Sequence, residues 1–300
     1  MLKKTGLLSA PVRALWDLDF KFGISLERAL KLAEELAALR IFYVTIRPSS
    51  GLEAEVAAKT ARFAHTTLSL ASPDAFPGWD KTPGIKALDL YNPAACSLQK
   101  FTTILENAPA GVALSVTVIP EKGRLDGLLE TIREGLARGI KMFSLANPGL
   151  VNIEGGEGAR FILDKSDREY LRQGLEALPA PHGDTVKILV HDLFLHEALH
   201  LPGLGRTEYA GCQAGDAIAF IAADGTVYPC ATLPFPLGNV KDESFKDIWA
   251  GETRRKLRTE IAALPDTCAA CDASVRCMGA CRGLAFASGG LGLPDPSCGR

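Results

Sequence analysis

The sequence predicts an α/β fold with a cysteine-rich extension, and three observations carry that prediction. Short β-branched or apolar runs alternate with segments of helical period over roughly the first 190 residues. Hydrophobic residues make up 47% of the 300 positions and charged residues 23%, enough apolar material for two domains or for one barrel with an appendage. Seven of the eight cysteines, Cys212, Cys230, Cys268, Cys271, Cys277, Cys281 and Cys298, lie in the last third, with Cys96 alone before them.

The strands come first in the argument because they set the topology. Candidate runs are 12–20, 41–46, 66–70, 85–91, 112–119, 140–146 and 186–190. Between the first two, Leu26, Ala29, Leu30, Ala33, Leu36 and Ala37 fall on one helical face, and Ser25 is placed to cap it. Ser97 is placed to cap a helix carrying Phe101, Ile104 and Leu105. Leu125, Leu128, Leu129, Ile132 and Leu136 form another apolar face. Ser166 with Glu169 reads as a capping box before Tyr170, Leu171, Leu175 and Leu178. Repeated β–α units require a parallel sheet with helices outside it, as an open sheet or a partial barrel.

Charge and termini exclude several partners. With 33 Lys+Arg against 35 Asp+Glu, a net charge of −2 and no basic tail, nucleic acid is not expected as the main partner, because phosphate binding needs clustered Lys and Arg. Pro11 and Arg13 interrupt the apolar residues after Gly6, so no export signal forms, and no run is long enough to span a membrane. A cytoplasmic location is expected, and clustered thiols there read as metal ligands before disulfides.

Sites on such folds lie at the C-terminal ends of the strands. Here those ends are poor in chemistry. Lys21-Phe22-Gly23-Ile24 follows the first strand and Arg47-Pro48-Ser49-Ser50-Gly51 the second, and neither is a phosphate-cradling loop. Gly155-Gly156-Glu157-Gly158 reads as an ordinary loop, and Cys96 as a structural thiol.

The last third is different. Asp224-Gly225 lies between two β-forming runs and predicts a hairpin, which would bring Cys212 and Cys230 together. A helix follows around Phe245, Ile248 and Trp249, and then a C-x2-C-x5-C-x3-C run from Cys268 to Cys281, with Cys298 beyond it. Soft thiolates at turns suit iron–sulfur clusters or tetrahedral zinc, and spacing alone leaves both open.

The order C-x12-G-x4-C, C-x2-C-x5-C-x3-C, C resembles the SPASM domain, the auxiliary-cluster module of radical SAM enzymes that modify peptides. The phrases DGTVYPC, LGNV and SFKDIWAGETRRKLR fall where SPASM proteins place similar ones. The resemblance implies an iron–sulfur SPASM domain over 209–300, with two auxiliary clusters of [4Fe-4S] type. It assigns Cys212, Cys230 and Cys281 to auxiliary cluster I, and Cys268, Cys271, Cys277 and Cys298 to auxiliary cluster II. Many members carry a further cysteine near the first. The segment 213–229 has none, which leaves cluster I with three thiolates and an open or unusual fourth position.

Residues 1–208 are similar to the radical SAM partial (β/α) barrel, LSAPVRALWDLDFK resembling its opening strand. The family then places C-x3-C-x2-C, where this chain runs from Lys21 directly toward its first helix. It also lacks the Gly-Gly-Glu-Pro motif, Arg47-Pro48-Ser49-Ser50 standing there. The resemblance therefore implies a degenerate barrel to which S-adenosylmethionine is not expected to bind. It is similar to SPASM-domain partner proteins of GeoRSP-type peptide-modification systems. The implied function is an accessory iron–sulfur protein that relays electrons or holds a precursor peptide for a complete radical SAM/SPASM enzyme.

A metal-stabilised peptide-binding scaffold is the first alternative. A zinc peptidase is a more remote one, since His196-Glu197-Ala198-Leu199-His200 fits H-E-x-x-H. Against it, Arg206 stands where a third histidine is needed, and Pro202 ends the helix early. The run Arg254-Arg255-Lys256-Leu257-Arg258 reads as a solvated helix face.

Overall fold

The computed structural model describes residues 7–21, 23–49, 54–72, 82–92, 97–108, 110–151, 153, 157–178, 186–200 and 211–299. Cys96, Phe22, Gly155, Gly156 and the segment 201–210, which holds Pro202, Arg206 and the expected domain boundary, lie outside them.

Seven strands follow the hydrophobic pattern, most of them separated by helices. Strand β1 (Arg13–Leu18) buries Ala14, Trp16 and Leu18 on alternate positions, and helix α1 (Leu26–Ala38) covers it with Ala29, Leu32, Ala33 and Leu36. The Ser25 hydroxyl accepts the Arg28 N–H at 3.2 Å, so the expected cap is present. After β2 (Tyr43–Pro48) comes α2 (Ala54–Thr60), a short helix that the sequence reading did not single out. Strands β3 (His65–Leu70) and β4 (Ala87–Asn92) follow. Ser97 caps a 3-10 turn that runs into α3 (Thr102–Asn107).

The second half of the repeat is β5 (Ala113–Val118), α4 (Leu125–Ala137), β6 (Met142–Leu145), α5 (Lys165–Glu176), β7 (Lys187–Val190) and α6 (Leu193–Ala198). The cap of α5 corrects the expectation. Asp164 and Asp167 form the capping box in place of Ser166 and Glu169. Asp164, two residues before Ser166, takes the N–H groups of both Ser166 and Asp167, and a carboxylate is the stronger acceptor beside a helix N-terminus.

The sheet does not stop where the cysteine-rich segment begins. Strand β8 (Ile218–Ile221) pairs in parallel with β1 on the side opposite β2. Gly225, at φ +88°, turns the chain into the antiparallel β9 (Thr226–Tyr228), as Asp224-Gly225 predicts, and β10 (Gly238–Asn239) extends the edge. The order is β10-β9-β8-β1-β2-β3-β4-β5-β6-β7, and among the described residues β7 pairs only with β6, so the sheet is open. Four helices close the chain: α7 (Phe245–Ala250), α8 (Glu252–Ala262), α9 (Ser274–Cys277) and α10 (Arg282–Ala287). Glu35 of α1 accepts the Phe245 N–H at 2.7 Å and pairs with Arg28, which ties the barrel to α7. No helix of the described residues is long and apolar enough to cross a membrane.

Charged groups inside the sheet are paired. Arg47 meets Asp17, its register partner on β1, through Nε and Nη2 at 2.5 and 2.9 Å, and lies over the Tyr91 ring. Asp89 on β4 accepts the hydroxyls of Ser69, Ser115 and Thr117 from the two flanking strands.

Candidate metal centre

The hairpin does what its turn predicts. Gly215 N–H bonds to the Pro229 carbonyl at 2.9 Å, so the chain carrying Cys212 runs beside the chain carrying Cys230. Cys281, at the N-terminus of α10, joins them. The three thiols line one cavity of about 260 Å³ beyond the ends of β6 and β7, with Asn147, His191, Asp192, His196 and Gln213 also in its wall. Asn147 donates from Nδ2 to Cys281 Sγ at 3.4 Å, and Asp295 accepts the Cys281 N–H at 2.8 Å.

The other four cysteines lie on the turns that follow. The Cys271 N–H bonds to the Cys268 carbonyl, and the Ser274 N–H bonds to the Cys271 carbonyl. Cys277 and Cys298 both pack against Leu193, Phe194 and Ala280. All seven are thiols rather than disulfides. The structure thus brings Cys212, Cys230 and Cys281 to one cavity, and Cys277 and Cys298 to one apolar cluster.

The basic run on α8 is not a solvated face throughout. Arg254 is 4% exposed, stacks on Trp249 and donates to the Gly215 carbonyl. Arg258 donates from Nη1 to the carbonyls of Cys212 and Ala214. The spacing of the run puts these two arginines on one face, turned toward the cysteine-bearing loop, because they are four residues apart.

Electrostatics show what the thiols want. Burial, and then Cys212, push the Cys230 thiol up to about 12. Burial, Asp295 and the other two cysteines hold Cys281 well above the ordinary thiol range. Burial and the Asp192 carboxylate also push Asp295 up to about 7. A metal ion reverses this order, since coordination deprotonates a thiol outright.

Two orphaned groups test whether an iron–sulfur cluster fits. Arg282 is 0% exposed, its Nη1 donates to the Leu293 carbonyl, and its Nε and Nη2 have no hydrogen-bond partner among the described residues. Burial lowers its pKa, and Cys212, Cys268, Asp295 and Cys281 act against that. A buried guanidinium needs negative charge beside it, and thiolates around a cluster supply that. His196 is 7% exposed with an unpartnered Nδ1. The buried Arg282 guanidinium and the thiols lining one cavity suit an anionic thiolate-bound cluster.

The H-E-x-x-H pattern does not form a zinc site. Helix α6 ends at Ala198, and His200 stands beyond it in the left-handed region at φ +52°. His196 faces the thiol cavity, while Glu197 and His200 line a separate one with Cys298. The i, i+4 geometry that zinc binding requires is lost with the helix.

The first strand's end also bears on function. A Cβ on Gly23 would lie 2.1 Å from the carbonyl oxygens of both Asp19 and Ala223. The loop after β1 is packed against the β8–β9 turn and holds no cysteine among its described residues.

Residues 212–272 match the SPASM family, an iron-sulfur cluster-binding domain. The chain is 37% identical over 90 residues to the AdoMet-dependent heme synthase of Methanosarcina barkeri, a match covering 29% of this chain and a quarter of that protein. Its fold is that of Streptococcus suis SuiB bound to the precursor peptide SuiA, at TM-score 0.70 and 15% identity over 98% of this chain and 77% of that one. It is similarly that of anSMEcpe with bound AdoMet and Cp18Cys peptide, at TM-score 0.62 and 13% identity over 96% and 94%. The C-terminal segment is thus a SPASM-type iron–sulfur domain on a mixed α/β fold of the kind these proteins share.

Proposed function

We propose that this chain is an iron–sulfur accessory protein of a peptide-modification system, acting beside a complete radical SAM/SPASM enzyme. Cys212, Cys230 and Cys281 hold one cluster of [4Fe-4S] type, and Cys268, Cys271, Cys277 and Cys298 hold the other. When bound, such clusters supply one-electron transfer at a potential set by ligand charge, hydrogen bonds and burial.

The carrying observation is the cavity shared by Cys212, Cys230 and Cys281, together with the buried Arg282 Nε and Nη2 that have no partner among the described residues. The residues of this chain have separable tasks. Asn147 gives a hydrogen bond to the Cys281 sulfur, and Asp295 fixes that cysteine's backbone. Arg258 holds the Cys212 loop from below, and Arg282 offsets the negative charge of both thiolate sets. The short, closely packed loop after β1 supports a barrel that does not cleave S-adenosylmethionine. Precursor peptides bound by SuiB and anSMEcpe support a peptide as the second partner.

The test is anaerobic reconstitution of the full chain, followed by iron and acid-labile sulfide analysis and a reductive S-adenosylmethionine cleavage assay. We expect a brown protein, both elements present, and no cleavage by the protein alone. A colourless, zinc-only protein, or cleavage without a partner, overturns the reading. Redox potentiometry separates electron relay from a scaffold with structural clusters, because only a relay must cycle reversibly at a potential its partner can reach.

A further inference from the structure

We propose that His196 supplies the fourth ligand to the cluster held by Cys212, Cys230 and Cys281, coordinating through Nδ1. The inference rests on the iron–sulfur reading above and assigns a residue that the cysteine pattern does not include.

Three observations converge. The first is stoichiometric: three thiols face the cavity, and no cysteine occurs between Gln213 and Pro229 to complete a set of four. The second is positional. His196 lies in the wall of that same cavity, carried there by α6, the helix directly after β7. The third is chemical. His196 is more than nine-tenths buried, and its Nδ1 has no hydrogen-bond partner among the described residues. A buried ring nitrogen without a partner costs free energy unless something occupies its lone pair.

Three other polar groups in the wall are already engaged. Asp192 caps α6 by accepting the Leu195 N–H at 2.6 Å. Asn147 donates to Cys281 Sγ, and Gln213 donates to the Gly211 carbonyl. His191 is the competing imidazole and therefore the necessary control. Ligation needs the neutral tautomer with its proton on Nε2, leaving the Nδ1 lone pair to donate to iron. No bond in the protein breaks. Because imidazole is neutral where thiolate is anionic, a histidine ligand raises the cluster's reduction potential.

The experiment uses the full chain, reconstituted anaerobically with iron and sulfide and labelled with 15N-histidine. Iron and sulfide are counted first, and then the reduced protein is examined by pulsed EPR for nitrogen coupling. The expected result is a strong coupling from a directly bound imidazole, retained in His191→Ala and lost in His196→Ala. His196→Cys should keep the iron, lose the coupling and lower the midpoint potential of one cluster. A full iron and sulfide complement with no nitrogen coupling in the unsubstituted protein overturns the assignment to His196 and leaves the cluster reading intact. Coupling that survives in His196→Cys overturns it as well. A protein that takes up no iron and sulfide removes both.

Discussion

Arg258 donates from a single nitrogen, Nη1, to the main-chain carbonyl of Cys212 at 2.7 Å and to that of Ala214 at 2.9 Å. The arginine is four residues beyond Arg254, which holds Gly215 in the same loop. Two guanidinium groups on one helix thus hold the strand-entry segment that presents the first thiol. Arg258→Leu removes both of its charge-assisted bonds and should cost about 2 kcal/mol. Urea unfolding measures that loss. Iron bound per chain should fall with it, while Lys256→Leu, on a side chain 71% exposed, should change neither.

Cys230 and Cys271 belong to different sets in the proposed assignment. Cys230→Ala and Cys271→Ala should each reduce bound iron and sulfide to roughly half, and the double substitution should remove nearly all. Equal and complete loss from either single change would show one shared centre.

In the proposed assignment Arg282 offsets the charge of thiolates from both sets. In the metal-free protein its Nε and Nη2 are buried with no hydrogen-bond partner among the described residues, so Arg282→Met should unfold at the same urea concentration or a higher one. In the iron-loaded protein the same change removes the counter-charge, and iron release to a chelator should accelerate. Faster release and lower metal-free stability together would instead mark Arg282 as an ordinary structural residue.

Gly23 cannot carry a side chain, since a Cβ would lie 2.1 Å from the carbonyls of Asp19 and Ala223. Gly23→Ala must move backbone on one side or the other and should cost about 3 kcal/mol. Ala223 belongs to the β8–β9 turn, so hydrogen exchange in β8 and β9 should rise together with exchange in β1. A change confined to the loop would contradict the packing.

Asp89 is buried among three hydroxyls, and burial raises its pKa above the ordinary carboxyl value. A carboxyl raised in the folded state favours folding fully below its unfolded pKa of 3.8. That contribution is lost as pH climbs from there through the folded value. Asp89→Asn should therefore leave stability at neutral pH unchanged or higher. It should also flatten the fall in stability between acid and neutral pH, because hydroxyls can turn to accept from an amide. Steeper pH dependence in the variant would contradict this.

Much of this protein was legible in the sequence alone. Periodicity located the seven barrel strands, because a buried parallel strand must be apolar whatever surrounds it. Ser25 and Asp224-Gly225 announced a cap and a turn, since both depend on chemistry within a few residues. Cysteine spacing announced a metal-binding domain and left iron–sulfur and zinc open, and the resemblance of the whole cysteine pattern to the SPASM domain chose iron–sulfur. What the tertiary structure decided depends on residues far apart in the chain. The pairing of β8 with β1 joins the cysteine-rich segment to the barrel sheet across some 200 positions. The burial of Arg254 and the reach of Arg258 contradict a local pattern that reads as solvated charge. The cap of α5 went to Asp164 because two neighbouring acceptors compete and only geometry chooses between them. His196 is the clearest case. Its sequence neighbours spell a zinc motif, but α6 ends at Ala198 and leaves His200 outside the helix, while His196 within it lines a cavity with three thiols, two flanking the hairpin and one at the start of α10. A helix's end depends on packing summed over the whole fold, and no five-residue pattern contains that sum.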